Sequence, residues 1–324
     1  MATIHDVAKR AGVSVTTVSR VLNNRGYISQ KTRQIVYDTM EELNYQPNDL
    51  ARSLLSKQSN VIGLIIPNVS HPFFAEFAYA VEQYAYEQGC KLLLCNSQLD
   101  PVKEREYLKM MKGNQVNGII MGSHTLDTES YLNLNYPIVT VDRLITGFPY
   151  VASDNELGGR LAAELLISKG CRKLVHICGN QSLDMLSNLR TAGFLSAAKK
   201  AGIETVILET KMNVFDREEY EYLITTMFAD HPDLDGVFAT SDIIAGHVIS
   251  KCRQLGKTVP GQIKIVGYDD ISLASWFSPG ITTIKQPIED MGRMAVNLIQ
   301  QQMSSGPIVH ENILPVELIE RETT

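Results

Sequence analysis

No apolar run in the chain approaches the roughly 18 residues that a membrane-spanning helix needs. The first residues do not read as a signal peptide either. The five cysteines (Cys90, Cys95, Cys171, Cys178 and Cys252) are odd in number and lie mostly in apolar stretches. They are expected as reduced, buried thiols of a cytoplasmic protein, which excludes a disulfide framework. No Cys or His pair has zinc-ligand spacing, so no metal is expected. There is no GxGxxG fingerprint, no Walker loop and no GxSxG elbow, and no cofactor is expected. His124 and His176 stand singly at strand ends and read as hydrogen-bonded loop or core residues. Asp269 and Asp270 adjoin in sequence, so their side chains point apart. An α/β sugar-modifying enzyme fused to a DNA reader is therefore a remote alternative.

What is present begins at Thr3. Thr3 and Asp6 have the spacing of a capping box, with Asp in place of the usual Glu or Gln. Val7, Ala8 and Ala11 recur at helical spacing. Gly12 suits the left-handed position that ends a helix, and Ser14 caps the next one. In that second helix Val18, Val21 and Leu22 point inward. Val15, Thr16, Thr17, Ser19, Arg20 and Asn23 remain outside. Such a helix–turn–helix unit lays its second helix in the DNA major groove, where Thr hydroxyls and an Arg fork read base edges. Ser29 caps a third helix that contributes Ile35, Val36, Met40 and Leu43, and Pro47 stops it.

Charge divides the chain at the same place. Residues 1–58 carry eight Lys or Arg and five Asp or Glu, a balance of +3. The whole chain is −6, which leaves −9 for the remaining 266 residues. A basic head on an acidic body touches phosphates at one end. Its excess is small, so tight binding calls for two heads together. Residues 48–60 read as a short hinge helix and linker, too short to be stable alone. Paired with a second copy on DNA, one of Leu54 and Leu55 can form a dimer contact while the other wedges into the minor groove. A plain linker helix packed on the body is the alternative.

With 324 residues, 44% of them hydrophobic, the chain has room for a two-lobed body behind the head. Continuous apolar runs occur at Val61–Ile66, Leu92–Cys95, Gly118–Met121, Ile138–Val141, Leu174–Cys178, Val206–Leu208, Gly236–Ala239 and Ile263–Val266. These alternate with amphipathic helical patterns, as parallel sheets covered on both faces require. Polar residues follow the strands: Asn68, Ser97, Ser123, Asp142, Ser241 with Asp242, and Asp269. Ligands of parallel α/β sheets bind at those carboxyl ends. Phe73, Phe74 or Phe215 could stack on the apolar face of a hydroxyl-rich molecule, and many of the Asp and Ser could equally cap helices.

The run Val7-Ala8-x-x-Ala11-Gly12-Val13-Ser14-x-x-Thr17-Val18-Ser19-Arg20-Val21-Leu22-Asn23 resembles the signature of LacI-type repressors, the lac/gal repressor family. So do Asn48-x-x-Ala51-Arg52-Ser53-Leu54, Val266-Gly267-Tyr268-Asp269-Asp270 and Thr282-Thr283-Ile284-Lys285-Gln286-Pro287. The resemblance spans essentially the whole chain. It implies a homodimer on double-stranded operator DNA, with a three-helix head (1–47), a hinge helix (48–60) and a body like periplasmic sugar-binding proteins (61–324). Lobe one would be about 61–156 plus 290–320, and lobe two about 157–289. By matching position, Val15, Thr16 and Arg20 face the major groove and Leu54 is the minor-groove lever. Phe73, Phe74, Arg190, Asp242 and Asp269 line the effector cleft, with Phe215 as an aromatic partner. Ser241 departs from the Asn–Asp pair of many members.

The stretches Cys95–Tyr107 and Asn114–His124 are similar to sucrose-operon repressors. They imply sucrose, fructose or a phosphorylated form as effector. A catabolite regulator whose corepressor is a phosphorylated carrier protein remains open. Ile313–Ile319 reads as a further strand, and no leucine heptads follow it, so a dimer without further tetramerisation is expected.

Overall fold

The computed structural model describes residues 2–46, 59–123, 125, 136–210, 216–304 and 306–324. The chain divides into two compact units, Met1–Ser59 and Asn60–Thr324.

The described residues of the first unit form three helices, α1 (Ile4–Ala11), α2 (Val15–Leu22) and α3 (Gln30–Glu42). Local chemistry sets each boundary. Thr3 Oγ1 accepts from the Asp6 N–H while the Asp6 carboxylate accepts from the Thr3 N–H, so the capping box is complete despite the Asp. Gly12 ends α1 at φ 67°, a conformation glycine adopts without penalty. Ser14 and Ser29 cap α2 and α3 through the N–H groups of Thr17 and Thr32. Val7, Ala8, Val18, Val21 and Val36 form the core. Ile35 differs from expectation: it is exposed, and its carbonyl instead accepts the hydroxyl of buried Thr39. Helix α3 ends at Glu42, held by the Arg10–Glu42 ion pair to α1, well before Pro47.

The second unit holds two six-stranded sheets of the same design. The first contains β1 (Val61–Ile66), β2 (Lys91–Asn96), β3 (Gly118–Met121), β4 (Ile138–Val141) and β5 (Tyr150–Ser153), with α4 (Pro72–Glu87) and α5 (Pro101–Gly113) as crossovers. The chain then enters the second sheet through α6 (Asn155–Ser168). There β6 (Lys173–Cys178), β7 (Glu204–Glu209), β8 (Gly236–Ala239), β9 (Lys264–Asp269) and β10 (Thr282–Lys285) alternate with α7 (Leu189–Lys200), α8 (Arg217–Asp230) and α9 (Asp242–Gln254). Helix α10 (Ile288–Met303) returns to lobe one and packs on α4, and β11 (Glu311–Leu314) pairs with β5.

The strand orders are β11-β5-β4-β3-β1-β2 and β12-β10-β9-β8-β6-β7, where β12 is Glu317–Ile319. All pairings are parallel except β10 with β12. In each lobe the order reverses beside the first strand, between β1 and β3 and between β6 and β8. That leaves a crevice at the carboxyl ends there, where open α/β sheets bind ligands.

Two sequence expectations change. The strand expected across Ile313–Ile319 is two strands in different sheets. Pro315 interrupts it, so the chain crosses between lobes a third time and Glu317–Ile319 belongs to lobe two. The apolar runs of β2 and β7 are edge strands covered only in part, with Leu94 40% exposed; hydrophobic content alone does not reveal an edge.

Candidate functional site: a polar cleft between the lobes

A cleft of about 160 Å³ opens where the carboxyl ends of both sheets face each other. From lobe one it is lined by Pro67 after β1, Phe73 and Phe74 at the start of α4, Gly122 after β3 and Asp142 after β4. From lobe two come Cys178 at the end of β6, Gln181 beyond it, Asn188 and Arg190 at the start of α7, Thr240 and Ser241 after β8, and Asp269 at the end of β9. Gln286 lines it from the connection between β10 and α10.

The anchor is Arg190 in the first turn of α7, with 6% of its surface exposed. Its Nε donates to Asn155 Oδ1 at 2.7 Å and Nη1 donates to the Thr240 carbonyl at 3.0 Å. Nη2 lies 3.6 Å from the Asp142 carboxylate across the cleft. The guanidinium sits 3.7 Å over the Tyr268 ring, a favourable cation–π stack in a desolvated site.

Helix packing makes this placement. Helices α6 and α7 press together at Gly159 and Gly193, where a Cβ would stand 1.9 Å from the Arg190 carbonyl oxygen and 2.0 Å from that of Glu156. Only glycine at both positions lets the backbone carrying Arg190 come this close to α6.

Asn155 completes the link between lobes, since its Nδ2 donates to Asp142 Oδ1 at 2.8 Å. The Leu186 N–H donates to the Asp142 carbonyl at 3.1 Å. A second link lies outside the cleft. The Ser272 N–H and hydroxyl both donate to Glu76 Oε1, at 2.8 and 2.6 Å, joining α4 to the short 3-10 turn Ser272–Ser275.

Asp269 emerges from β9 at φ 110°, a strained value for a non-glycine residue. Its carboxylate accepts from Gln286 Nε2 at 2.7 Å. Burial pushes its pKa up to about 7, which Asp142 and Glu76 reinforce while Arg190 and Gln286 oppose. Burial raises Asp142 as well, against the pull of Arg190 and Asn155. Gln286 Oε1 is buried without a hydrogen-bond partner among the described residues.

Phe73 packs against the cores of both lobes, and Phe74 against that of lobe one. Phe73, Phe74, Arg190 and Asp269 are thus brought together. Asp242 is not. Its buried carboxylate accepts from the Thr283 hydroxyl at 2.5 Å and the Ile271 N–H at 3.0 Å. It points behind the cleft because α9 turns its first residue toward β10; Ser241, the cap of α9, lines the cleft instead. Phe215, His124 and Leu54 lie outside the described residues.

Asn155 and Gln286 are site residues that sequence alone does not mark out, although Gln286 stands in the Thr282–Pro287 run. Asp142 shows in the sequence only as one of several strand-end polar groups. His176 is a core residue: its ring contacts the Phe238 carbonyl and Thr191 hydroxyl, and burial pushes its pKa down to about 4. Asp269 and Asp270 do point apart, Asp270 pairing with Arg321 at 2.7 Å. All five thiols are free and buried.

On the head, Thr16 and Arg20 are exposed on one face of α2. Val15 is partly turned into the core, Thr17 shares its hydroxyl with Ser14, and the Asn23 amide donates to the Ser19 carbonyl. No helix among the described residues is long and apolar enough to cross a membrane.

A small helical reader and a two-lobed body with a ligand-sized cleft define a DNA-binding regulator of the periplasmic-binding-protein type. The profile of bacterial regulatory proteins of the lacI family matches residues 3–48, and that of the periplasmic binding protein-like domain matches residues 163–324. Over its full length the chain is 40% identical to the sucrose operon repressor of Streptococcus mutans, covering 99% of it. It is 38% identical to the ribose operon repressor of Halalkalibacterium halodurans, with 100% of this chain and 97% of the relative covered.

Among solved structures, a periplasmic binding protein/LacI transcriptional regulator from Alkaliphilus metalliredigens complexed with D-xylulofuranose is similar at TM-score 0.75 and 32% identity. That likeness covers 82% of this chain and 99% of the other. The lac repressor dimer bound to operator is similar at TM-score 0.88 and 26% identity, covering 100% and 99%. The chain belongs to the lacI family of bacterial regulatory proteins. Its relatives are transcriptional repressors rather than enzymes.

Proposed function

We propose that this protein is a cytoplasmic homodimeric repressor of a sugar-utilisation operon, with operator affinity switched by a small sugar in the inter-lobe cleft. The observation that carries this is the Arg190–Asn155–Asp142 link. A ligand that enters there must rearrange the contacts joining the two lobes, so binding and lobe geometry are coupled. Thr16, Thr17, Arg20, Asn23 and the edge of Val15 are the groove-facing set, with Arg20 as the fork for guanine or phosphate. The hinge segment 48–60, with Leu54 as its lever, would transmit the change.

Relatives named for sucrose and ribose operons, and a neighbour holding D-xylulofuranose, support a sugar of fructose, sucrose or pentose type. The test is operator binding by fluorescence anisotropy with and without each candidate sugar. A sugar-dependent change in affinity is expected. Affinity that responds to a phosphorylated carrier protein and to no sugar would replace this reading with the corepressor one.

A further inference from the structure

We propose that the cleft takes an uncharged, hydroxyl-rich sugar and rejects its phosphorylated form. This rests on reading the cleft as the effector site and concerns only the charge of what enters it. Among the described lining residues the carboxylates are Asp142 and Asp269, and the one permanent cation is Arg190. Its charge is already matched by Asp142, and two of its donors are taken by Asn155 and the Thr240 carbonyl. No further Lys or Arg among the described lining residues is left to meet an added anion. His71 does not supply a cation, because burial holds that imidazole neutral.

The hydrogen-bonding groups point the same way. Gln286 lines the cleft with its Nε2 committed to Asp269 and its buried Oε1 without a partner among the described residues, so a ligand hydroxyl that reaches Oε1 would satisfy it. A hydroxyl can donate to Oε1 or to the Asp269 carboxylate and accept from the remaining Arg190 N–H groups. A phosphate brings acceptors and about −1.5 to −2 charges at neutral pH. It would leave Oε1 unsatisfied and oppose the release of the Asp269 proton, meeting like charge in the part of the population that is ionised near pH 7.

One helix start at the cleft is already answered: α9 carries the Asp242 carboxylate in its first turn, and its Ile244 N–H is taken by Ser241.

The experiment is isothermal titration of the full-length protein in phosphate-free buffer. The probes are D-ribose, D-fructose and sucrose, then ribose 5-phosphate, fructose 6-phosphate and sucrose 6-phosphate, with inorganic phosphate as competitor. At least one neutral sugar should bind, its phosphate ester at least a hundredfold more weakly, with no displacement by inorganic phosphate. An ester that binds as tightly as its parent sugar overturns the proposal while the effector cleft stands. Failure of all six probes both to bind and to alter operator affinity removes the cleft reading and this proposal with it.

Discussion

Replacing Asp269 by Asn should change how stability depends on pH, and the size follows from the carboxylate's burial. Its pKa rises from 3.8 to about 7 in the folded chain. Between these values the folded protein holds a proton that the unfolded chain has released. Stability from this group is therefore full below about pH 4 and is lost as pH rises through 7. Each pH unit well inside the window is worth about 1.36 kcal/mol and the slope halves at pH 7, so from pH 5 to 7 the wild type should lose about 2.3 kcal/mol relative to Asp269→Asn.

Asn cannot titrate but can still accept from Gln286 Nε2. Asp242, itself raised partly by the Asp269 charge, relaxes in the variant and adds to the difference in the same sense. His71 and His176, both pushed down to about 4, slope the opposite way, gaining stability as pH rises toward 6.5. Their contributions cancel when the two proteins are subtracted. The assay is urea unfolding of both proteins by circular dichroism at pH 5, 6 and 7, at constant ionic strength. A difference that stays constant within about 0.5 kcal/mol would refute the reasoning, because a carboxylate that has ionised at its ordinary pH contributes no slope here.

Arg190→Ala should lose effector binding at least a hundredfold and destabilise the body by about 2–3 kcal/mol, since it takes the cation from the half-buried Asp142 carboxylate and leaves Asn155 as its remaining partner; calorimetry and urea melts check both. Gly193→Ala should yield little soluble protein, because its Cβ would lie 2.0 Å from the Glu156 carbonyl oxygen, and expression with circular dichroism reads this directly. Arg20→Ala should weaken operator binding by about 1–3 kcal/mol and leave the sugar-induced melting shift unchanged, since Arg20 lies in the head. Glu76→Ala removes two hydrogen bonds between the lobes and should speed sugar release several-fold by stopped-flow, with the unfolding midpoint barely moved.

Much of this protein is written locally. The head's helices follow from Thr3, Gly12, Ser14 and Ser29, each acting within a few residues of itself. The parallel strands follow from unbroken apolar runs, and the strand-end rule finds the right rim of each sheet because connectivity alone places it there. Direction across space is a different matter. Asp242 and Asp142 look alike in sequence, each a carboxylate just after an apolar strand. The fold turns one toward Thr283 and the other toward Arg190, 48 positions further along.

Gln286 gains its importance only when β9 and β10 pair and bring it onto Asp269. The division of Ile313–Ile319 between two sheets likewise depends on which strands wait at each edge. Sequence determined the elements, the family and the rim of the cleft, through interactions between near neighbours. Tertiary structure decided which groups enter the cleft and which residues tie the lobes, because those contacts join positions whose meeting depends on the packing of both sheets.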